Sequence, residues 1–461
     1  MSMKLDLGRP EKFSFVLTVL HNTLFRVIFF VWYKNITWTN LNRLYAKYPI
    51  IIAANHQNSL MDPLVILGIE TRQITWLARA DIFKNPIAAR ILRFMRIMPA
   101  FRQRDGKEQL ANNEIVFQKC IDILAANKVL ALFPEGTHWG FRRLRETKKA
   151  VPRIAFLAED AHNFSLNTHI LPVGINYSNY TRLRGNVHVN FGTPIPVKQY
   201  EDIFKNNPQE AQNKMREDIE QELKKEMIHI AHTDDNYNVY DSLRYICEKQ
   251  AQTILGLQGK KATVKFTAHK KIIEILDNCF NSKPDTYTEL KNQTNTYKQL
   301  LSEYNMRDWL VAKHGGDTFG IILQSFILTV LFPIFAIGYC THAFFYFKFN
   351  SLAKKLAKDP QFHNSINFGF TYLLGPIIYL LYGIIFISVT NLSFWYIFPF
   401  AILLLACGVI SFEYSLIAKK TFHMIRYNYM QMTDSKKIET IEKQRRKIIK
   451  MFSTLLHEQN Q

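Results

Sequence analysis

The residues best placed to do chemistry are a histidine and an aspartate six positions apart. They stand in the run Ile51-Ile-Ala-Ala-Asn55-His56-Gln-Asn-Ser59-Leu-Met-Asp62-Pro63. An apolar strand feeding a polar segment sets His56 just past the strand end and Asp62 near the start of the next helix. A neutral imidazole there can take the proton from an acceptor hydroxyl as it attacks a thioester carbonyl. A carboxylate on the other ring nitrogen holds the tautomer and stabilises the imidazolium that forms. The substrate alcohol then plays the part that an enzyme serine plays elsewhere. The competing reading is a polar pair that merely satisfies itself.

Three further clusters carry polar chemistry. Leu132-Phe133-Pro134-Glu135-Gly136-Thr137-His138 places a tight turn after another apolar run, followed by Arg142, Arg143, Arg145, Lys148 and Lys149. A glycine turn lets the backbone approach a phosphate, and the cations suit an anionic headgroup. Met98-Pro99-Ala100-Phe101-Arg102 ends in a guanidinium able to fork onto phosphate oxygens. Ile170-Leu-Pro172-Val-Gly174-Ile-Asn176-Tyr177 reads as a buried strand whose proline shapes an edge or entrance.

Asn-His with Asp-Pro, Pro-Ala-Phe-Arg102, Phe-Pro-Glu-Gly-Thr and Leu-Pro-Val-Gly follow one another within Asn55–Gly174. In that order they resemble the four blocks of the glycerolipid (PlsC-like) acyltransferase superfamily, which includes glycerol-3-phosphate and lysophosphatidate acyltransferases. The likeness covers about residues 40–200. It implies His56 as general base and Asp62 as its partner. It also implies that Arg102, Glu135 and Gly136, with Thr137 beside them, bind the glycerol-phosphate part of the acceptor, while the Pro172 region borders the substrate channel. The implied donor is an acyl thioester on coenzyme A or on acyl carrier protein. No cofactor is implied. Two departures stand out. Five residues, Gln57 to Met61, separate the histidine from the aspartate where four are common, which resembles a subgroup of glycerol-3-phosphate acyltransferases and demands a different turn. His138 stands where arginine is frequent, so Arg142 or Arg143 is expected to substitute.

The elements that must position these groups follow from patterning. Short apolar runs at Ile50–Ala54, Ile74–Ala78, Val129–Phe133, Ile170–Ile175 and Val187–Phe191 alternate with helical stretches at Pro86–Phe94, Glu108–Ala125 and Ala150–Glu159. Such alternation predicts an α/β fold with a largely parallel sheet flanked by helices, its chemistry just beyond the carboxyl ends of strands. The expected domains are an amphipathic membrane-associated region over 1–48, a catalytic domain over 49–198, a helical extension over 199–318, a membrane domain over 319–417 and a basic helical tail over 418–461.

The 461 residues carry a net charge of +20 and include 35 Phe and 21 Tyr. That excess favours phosphate-bearing partners, and apolar helices in the same chain favour anionic membrane lipids over nucleic acid. No zinc-finger spacing or helix-turn-helix signature supports nucleic-acid binding. No HExxH, clustered carboxylates, Walker loop or GxGxxG appears, so neither a metal nor a nucleotide cofactor is expected. The five cysteines are scattered, with no disulfide or zinc pattern.

Phe13–Tyr33 is apolar but carries His21, Asn22 and Arg26. It is expected to lie in the membrane plane, with Trp32, Tyr33 and Trp38 at the headgroup boundary. Phe368–Val389 and Phe394–Phe412 are each near the ~20 residues needed to span hydrocarbon. Lys354, Lys355 and Lys358 precede them, and Lys419, Lys420 and Arg426 follow. Basic flanks predict a hairpin in the cytoplasmic membrane with both ends on the cytoplasmic face. Phe319–Phe347, broken by Pro333, is expected to bend or re-enter, which keeps the catalytic domain cytoplasmic, and the basic tail to lie along the anionic leaflet. Two other readings keep a place: a different lipid acceptor such as an aminolipid, or a non-catalytic lipid-binding membrane protein.

Overall fold

All five residues of Ile50–Ala54 are buried, as a central strand covered on both faces requires. The computed structural model describes residues 7, 14–69, 74–101, 112–259, 261–359 and 362–458. The chain packs as two units, Met1–His229 with Ala357–Phe368, and Ile230–Leu356 with Gly369–Gln461.

The first unit is built on eight strands: β1 (Tyr33–Thr39), β2 (Ile50–Ala54), β3 (Thr75–Arg79), β4 (Ile97–Ala100), β5 (Val129–Leu132), β6 (His169–Tyr177), β7 (Gly185–Phe191) and β8 (Ile195–Pro196). They lie in the order β1-β7-β6-β2-β5-β3-β4, with β8 on β6. The pairs β2–β5, β2–β6, β3–β5 and β3–β4 are parallel. Strand β7 runs antiparallel to β6. Register brings the carboxyl ends together, with Ala53 opposite both Leu132 and Pro172, and Ala54 opposite Val173. The three motifs that follow or form these ends therefore meet at one place.

Helices α1 (Phe15–Leu20) and α2 (Arg26–Trp32) are joined by a π-turn over His21–Phe25. Next come α3 (Met61–Ile69), α4 (Pro86–Phe94), α5 (Asn112–Ala125), α6 (Ala150–Asp160) and α7 (Pro208–Glu226). In α7 the buried residues Ala211, Met215, Ile219 and Leu223 recur every fourth position, a stripe facing the core. That core also holds Ile51, Ala53, Leu130, Leu132, Val116, Ile123, Ile154 and Phe156. Residues 108–111 of the helix expected from Glu108 lie outside the described residues.

Several boundaries differ from expectation. The sheet begins at Tyr33, inside the region expected to be only membrane-associated, because β1 pairs in parallel with β7. Trp32 and Tyr33 are buried rather than set at a headgroup boundary, and only Trp38 is exposed. Phe25, Phe29 and Trp32 pack their rings on Phe368. The expected helical extension is divided: α7 belongs to the first unit, and the helices after Ile230 to the second.

The second unit contains α8 (Asp235–Ile246), α9 (Ala262–Ser282), α10 (Pro284–Glu303), α11 (Thr318–Leu356), most of α12 (His363–Thr390), α13 (Ile397–Thr433) and α14 (Ser435–Glu458). Among the described residues four helical stretches, Phe15–Trp32, α11, α12 and Phe394–Thr433, are long and apolar enough to cross a membrane. The bent or re-entrant segment expected at Phe319–Phe347 is instead part of one 39-residue helix with Pro333 inside it. At 1.5 Å per residue that helix is about 58 Å long. Helices α11 and α13 run antiparallel: Phe335 stacks on Tyr414 at 4.3 Å, and Gln324 receives the Thr421 hydroxyl at 3.0 Å. At one end, Gly316 N–H donates to Asn428 Oδ1 at 3.2 Å and Asn428 Nδ2 donates to the Gly316 carbonyl at 2.7 Å. Glycine allows close approach, since a side chain at Gly338 would overlap the Cys407 carbonyl. The apolar side of α14, including Ile441, Ile448 and Phe452, is buried, and Gln444 donates to Gln293 of α10. Protein rather than a leaflet thus covers the apolar face of the tail.

Candidate active site

The strand end at Ala54 delivers two polar residues with different tasks. Asn55 is fully buried; its side chain donates to the Ile175 carbonyl at 3.1 Å and accepts the Ile175 N–H at 2.6 Å. It locks the ends of β2 and β6 together. His56 follows with its side chain 16% exposed, stacked 4.0 Å from the ring of Phe133. Its Nδ1 lies 2.8 Å from Asp62 Oδ2. Nδ1–H donating to a carboxylate leaves the Nε2 lone pair free to accept a proton.

Five intervening residues are accommodated because the loop closes on the carboxylate itself. Asp62 sits in the first turn of α3, where helix N–H groups favour negative charge. Its Oδ2 also accepts the N–H of Gln57 and of Asn58, each at 2.8 Å. Ser59 takes a left-handed backbone, φ +48, which absorbs the extra residue. The other oxygen, Oδ1, accepts the Tyr177 hydroxyl at 2.8 Å. Sequence reading missed this partner. The signal was the period of two along β6, which sets Tyr177 on the same inward face as Val173 and Ile175.

Glu135 is turned into the protein. It is 2% exposed; Oε1 accepts the His56 N–H at 2.6 Å and Oε2 the Arg145 N–H at 2.8 Å. Burial pushes its carboxyl up to about 8, against the lowering effect of those two donors. Glu135, expected to bind the acceptor, thus braces the backbone of His56. Trp139 N–H adds to this by donating to the His56 carbonyl at 3.0 Å.

Gly136 is exposed with φ +67, at the apex of the turn that its N–H closes onto Phe133. Thr137 beside it is half-buried. His138 lies with its ring 5.5 Å from that of His56, and its Nε2 is 3.7 Å from Asp359. Burial, and then the nearby His56, lower its pKa below the usual histidine value. Arg142 is buried and donates to the carbonyls of Tyr177 and Ser178 at 3.2 and 3.1 Å. Both bonds come from Nη2 of the guanidinium expected to bind phosphate. Arg143 stands half-buried over the ring of Trp139, with Arg145 on the same ring at 4.7 Å. Arg102 lies outside the described residues. The structure thus brings His56, Asp62, Glu135, Gly136, Thr137 and Arg143 to one end of the sheet, and turns Glu135 and Arg142 into its framework. Among the described residues no three His, Cys, Asp or Glu side chains converge as a metal site.

Residues 35–176 match the Acyltransferase family model. Over 226 residues the chain is 23% identical to Glycerol-3-phosphate O-acyltransferase 1 of Saccharomyces cerevisiae, covering 48% of this chain and 29% of that protein. The chain therefore spans less than a third of the length of that relative. A crystal structure of the 1-acyl-sn-glycerophosphate (LPA) acyltransferase PlsC from Thermotoga maritima aligns with 46% of this chain and 77% of that one, at 20% identity and a TM-score of 0.34.

Proposed function

We propose, from the match of residues 35–176 to the Acyltransferase family model, that the chain is a glycerolipid acyltransferase that transfers a fatty acyl group from a thioester to a hydroxyl of a glycerol-phosphate acceptor. The observation that carries this reading is the 2.8 Å contact between His56 Nδ1 and Asp62 Oδ2 at the end of β2. In the proposed step, His56 Nε2 takes the proton of the acceptor hydroxyl while its oxygen attacks the thioester carbonyl. The tetrahedral intermediate collapses, the C–S bond breaks, and the imidazolium returns the proton to the departing thiolate. The products are an ester and a free thiol. The Asp62 carboxylate stabilises the imidazolium between the two transfers. General-base help of this kind contributes ~10²–10⁴ in rate.

The acceptor proposed is glycerol-3-phosphate or 1-acyl-glycerol-3-phosphate, and the donor acyl-CoA or acyl carrier protein. The Gly136 turn, Thr137 and Arg143 are the groups offered to the acceptor phosphate, with Arg102 added from the sequence pattern. The apolar helices support residence in a membrane, and the thioester donor supports a cytoplasmic catalytic unit at the inner membrane. The test is full-length protein in lipid nanodiscs, given each donor with a mixed acceptor pool that includes an aminolipid, with products named by mass spectrometry. Acylation of a glycerol phosphate is expected, and His56→Ala is expected to lower it by at least about a hundredfold. Turnover at the wild-type rate in that variant would remove the general-base role.

A further inference from the structure

We infer that Tyr177 is a positioning residue for the same dyad: its phenol fixes the orientation of Asp62 and, through it, of the His56 ring. The inference rests on the acyl-transfer reading above and adds a residue to it. Asp62 is completely buried, and its two oxygens have partners of different origin. Oδ2 holds His56 Nδ1 and the N–H groups of Gln57 and Asn58. All three belong to the loop that carries the dyad, so they would move with it. Oδ1 holds the Tyr177 hydroxyl at 2.8 Å, and Tyr177 comes from β6, a strand 115 positions away in sequence. Of these four donors, this is the one that ties the carboxylate to the sheet.

The phenol is itself well held. Tyr177 is buried, with the rings of Tyr33 and Tyr180 at 6.2 and 5.7 Å. Arg142 grips its backbone, donating to the carbonyls of Tyr177 and Ser178. Two positions upstream, Ile175 exchanges two hydrogen bonds with Asn55, next to His56. The end of β6 therefore clasps the catalytic loop on both sides of the histidine, at Asn55 and at Asp62. Burial and the charge of Asp62 hold the Tyr177 phenol well above its ordinary pKa, so it remains a donor. A carboxylate held at one oxygen can rotate about its own axis; held at both, it presents Oδ2 to the imidazole in one orientation. The fourth sequence block, expected to border the substrate channel, thus ends in a support behind the dyad.

The test is a double-mutant cycle in full-length protein in nanodiscs, reading kcat and both KM values for wild type, Tyr177→Phe, Asp62→Asn and the double variant. Thermal melting checks that each is folded. Tyr177→Phe removes one oxygen and keeps the ring. It is expected to lower kcat about ten- to a hundredfold, the range for a lost hydrogen bond to a charged group, with both KM values unchanged. In the Asp62→Asn background the same change is expected to cost under about twofold, because the anionic oxygen it serves is gone. A wild-type kcat in Tyr177→Phe, equal losses in both backgrounds, or a loss confined to KM would each overturn the inference. A wild-type protein that transfers no acyl group would instead sink the underlying reading, and the inference with it.

Discussion

Replacing Glu135 by glutamine separates a framework role from a ligand-binding one. Two backbone N–H groups, of His56 and Arg145, converge on the two carboxyl oxygens at 2.6 and 2.8 Å. An acid oxygen accepts whether or not the group is protonated, but an amide nitrogen cannot. One N–H in Glu135→Gln must therefore face a second donor in a site where Glu135 is 2% exposed. A buried donor left unsatisfied costs about 1–3 kcal/mol. At about 2–4 °C per kcal/mol, melting is expected to fall by about 2–12 °C. Displacement of the His56 backbone moves its ring, and a shift of about 1 Å can cost roughly a hundredfold in rate. A lower kcat with an unchanged acceptor KM is expected. Stability also gains a pH signature. Burial raises the folded-state pKa to about 8 from the ordinary glutamate value of 4.5, so the folded protein keeps a proton that the unfolded chain releases. The contribution is full below pH 4.5 and is lost as pH rises through 8. Melting of the wild type should carry that downward slope, and Glu135→Gln should flatten it. An intact melting point and kcat with a raised acceptor KM would place Glu135 on the substrate and refute the reasoning.

Two further outcomes follow from packing and burial. A side chain at Gly174 would overlap the carbonyl of Glu226 at the end of α7, so Gly174→Ala is expected to lower the melting temperature by several degrees, and an unchanged melt would show that the α7 end yields freely. In the second unit, His269 accepts from Arg244 and faces Glu248, each at 2.9 Å, and burial lowers its pKa to about 4. A histidine kept neutral by folding gives stability that is present above pH 6.5 and lost as pH falls toward 4, here about 3 kcal/mol. Acid melting curves of His269→Gln should lose that dependence, and identical curves would show that another group titrates.

The central strands were legible because they are buried on both faces and rich in Ile, Val and Leu. The edge was not. Strand β1 reads Tyr-Lys-Asn-Ile-Thr-Trp-Thr, without a run of apolar residues, since its pairing is reinforced by polar contacts: Asn35 with Asn186, Thr37 with His188 and Thr39 with Asn190. A ladder of that kind leaves no hydrophobic period to read. Within the site, His56 and Asp62 were visible because their residue types announce acid–base chemistry. Glu135 and Arg142 were assigned to ligands because charge in a turn looks solvent-facing until backbone partners are known. Their partners across the fold, His56 for Glu135 and Tyr177 for Arg142, lie 79 and 35 positions away, beyond the reach of a local pattern. Pro333 misled in another way: a proline inside an apolar run suggests a bend, but neighbouring helices can carry the helix through it.

The paired bonds between Gly316 and Asn428 bear on how the apolar region threads a bilayer. Gly316 stands just before α11 and Asn428 near the end of α13, past Lys419, Lys420 and Arg426, and the two hold hands. A chain that departs and returns through one doorway has traversed the barrier an even number of times. For a chain that crosses a bilayer here, α11, α12 and α13 would then make an even number of complete traverses between them.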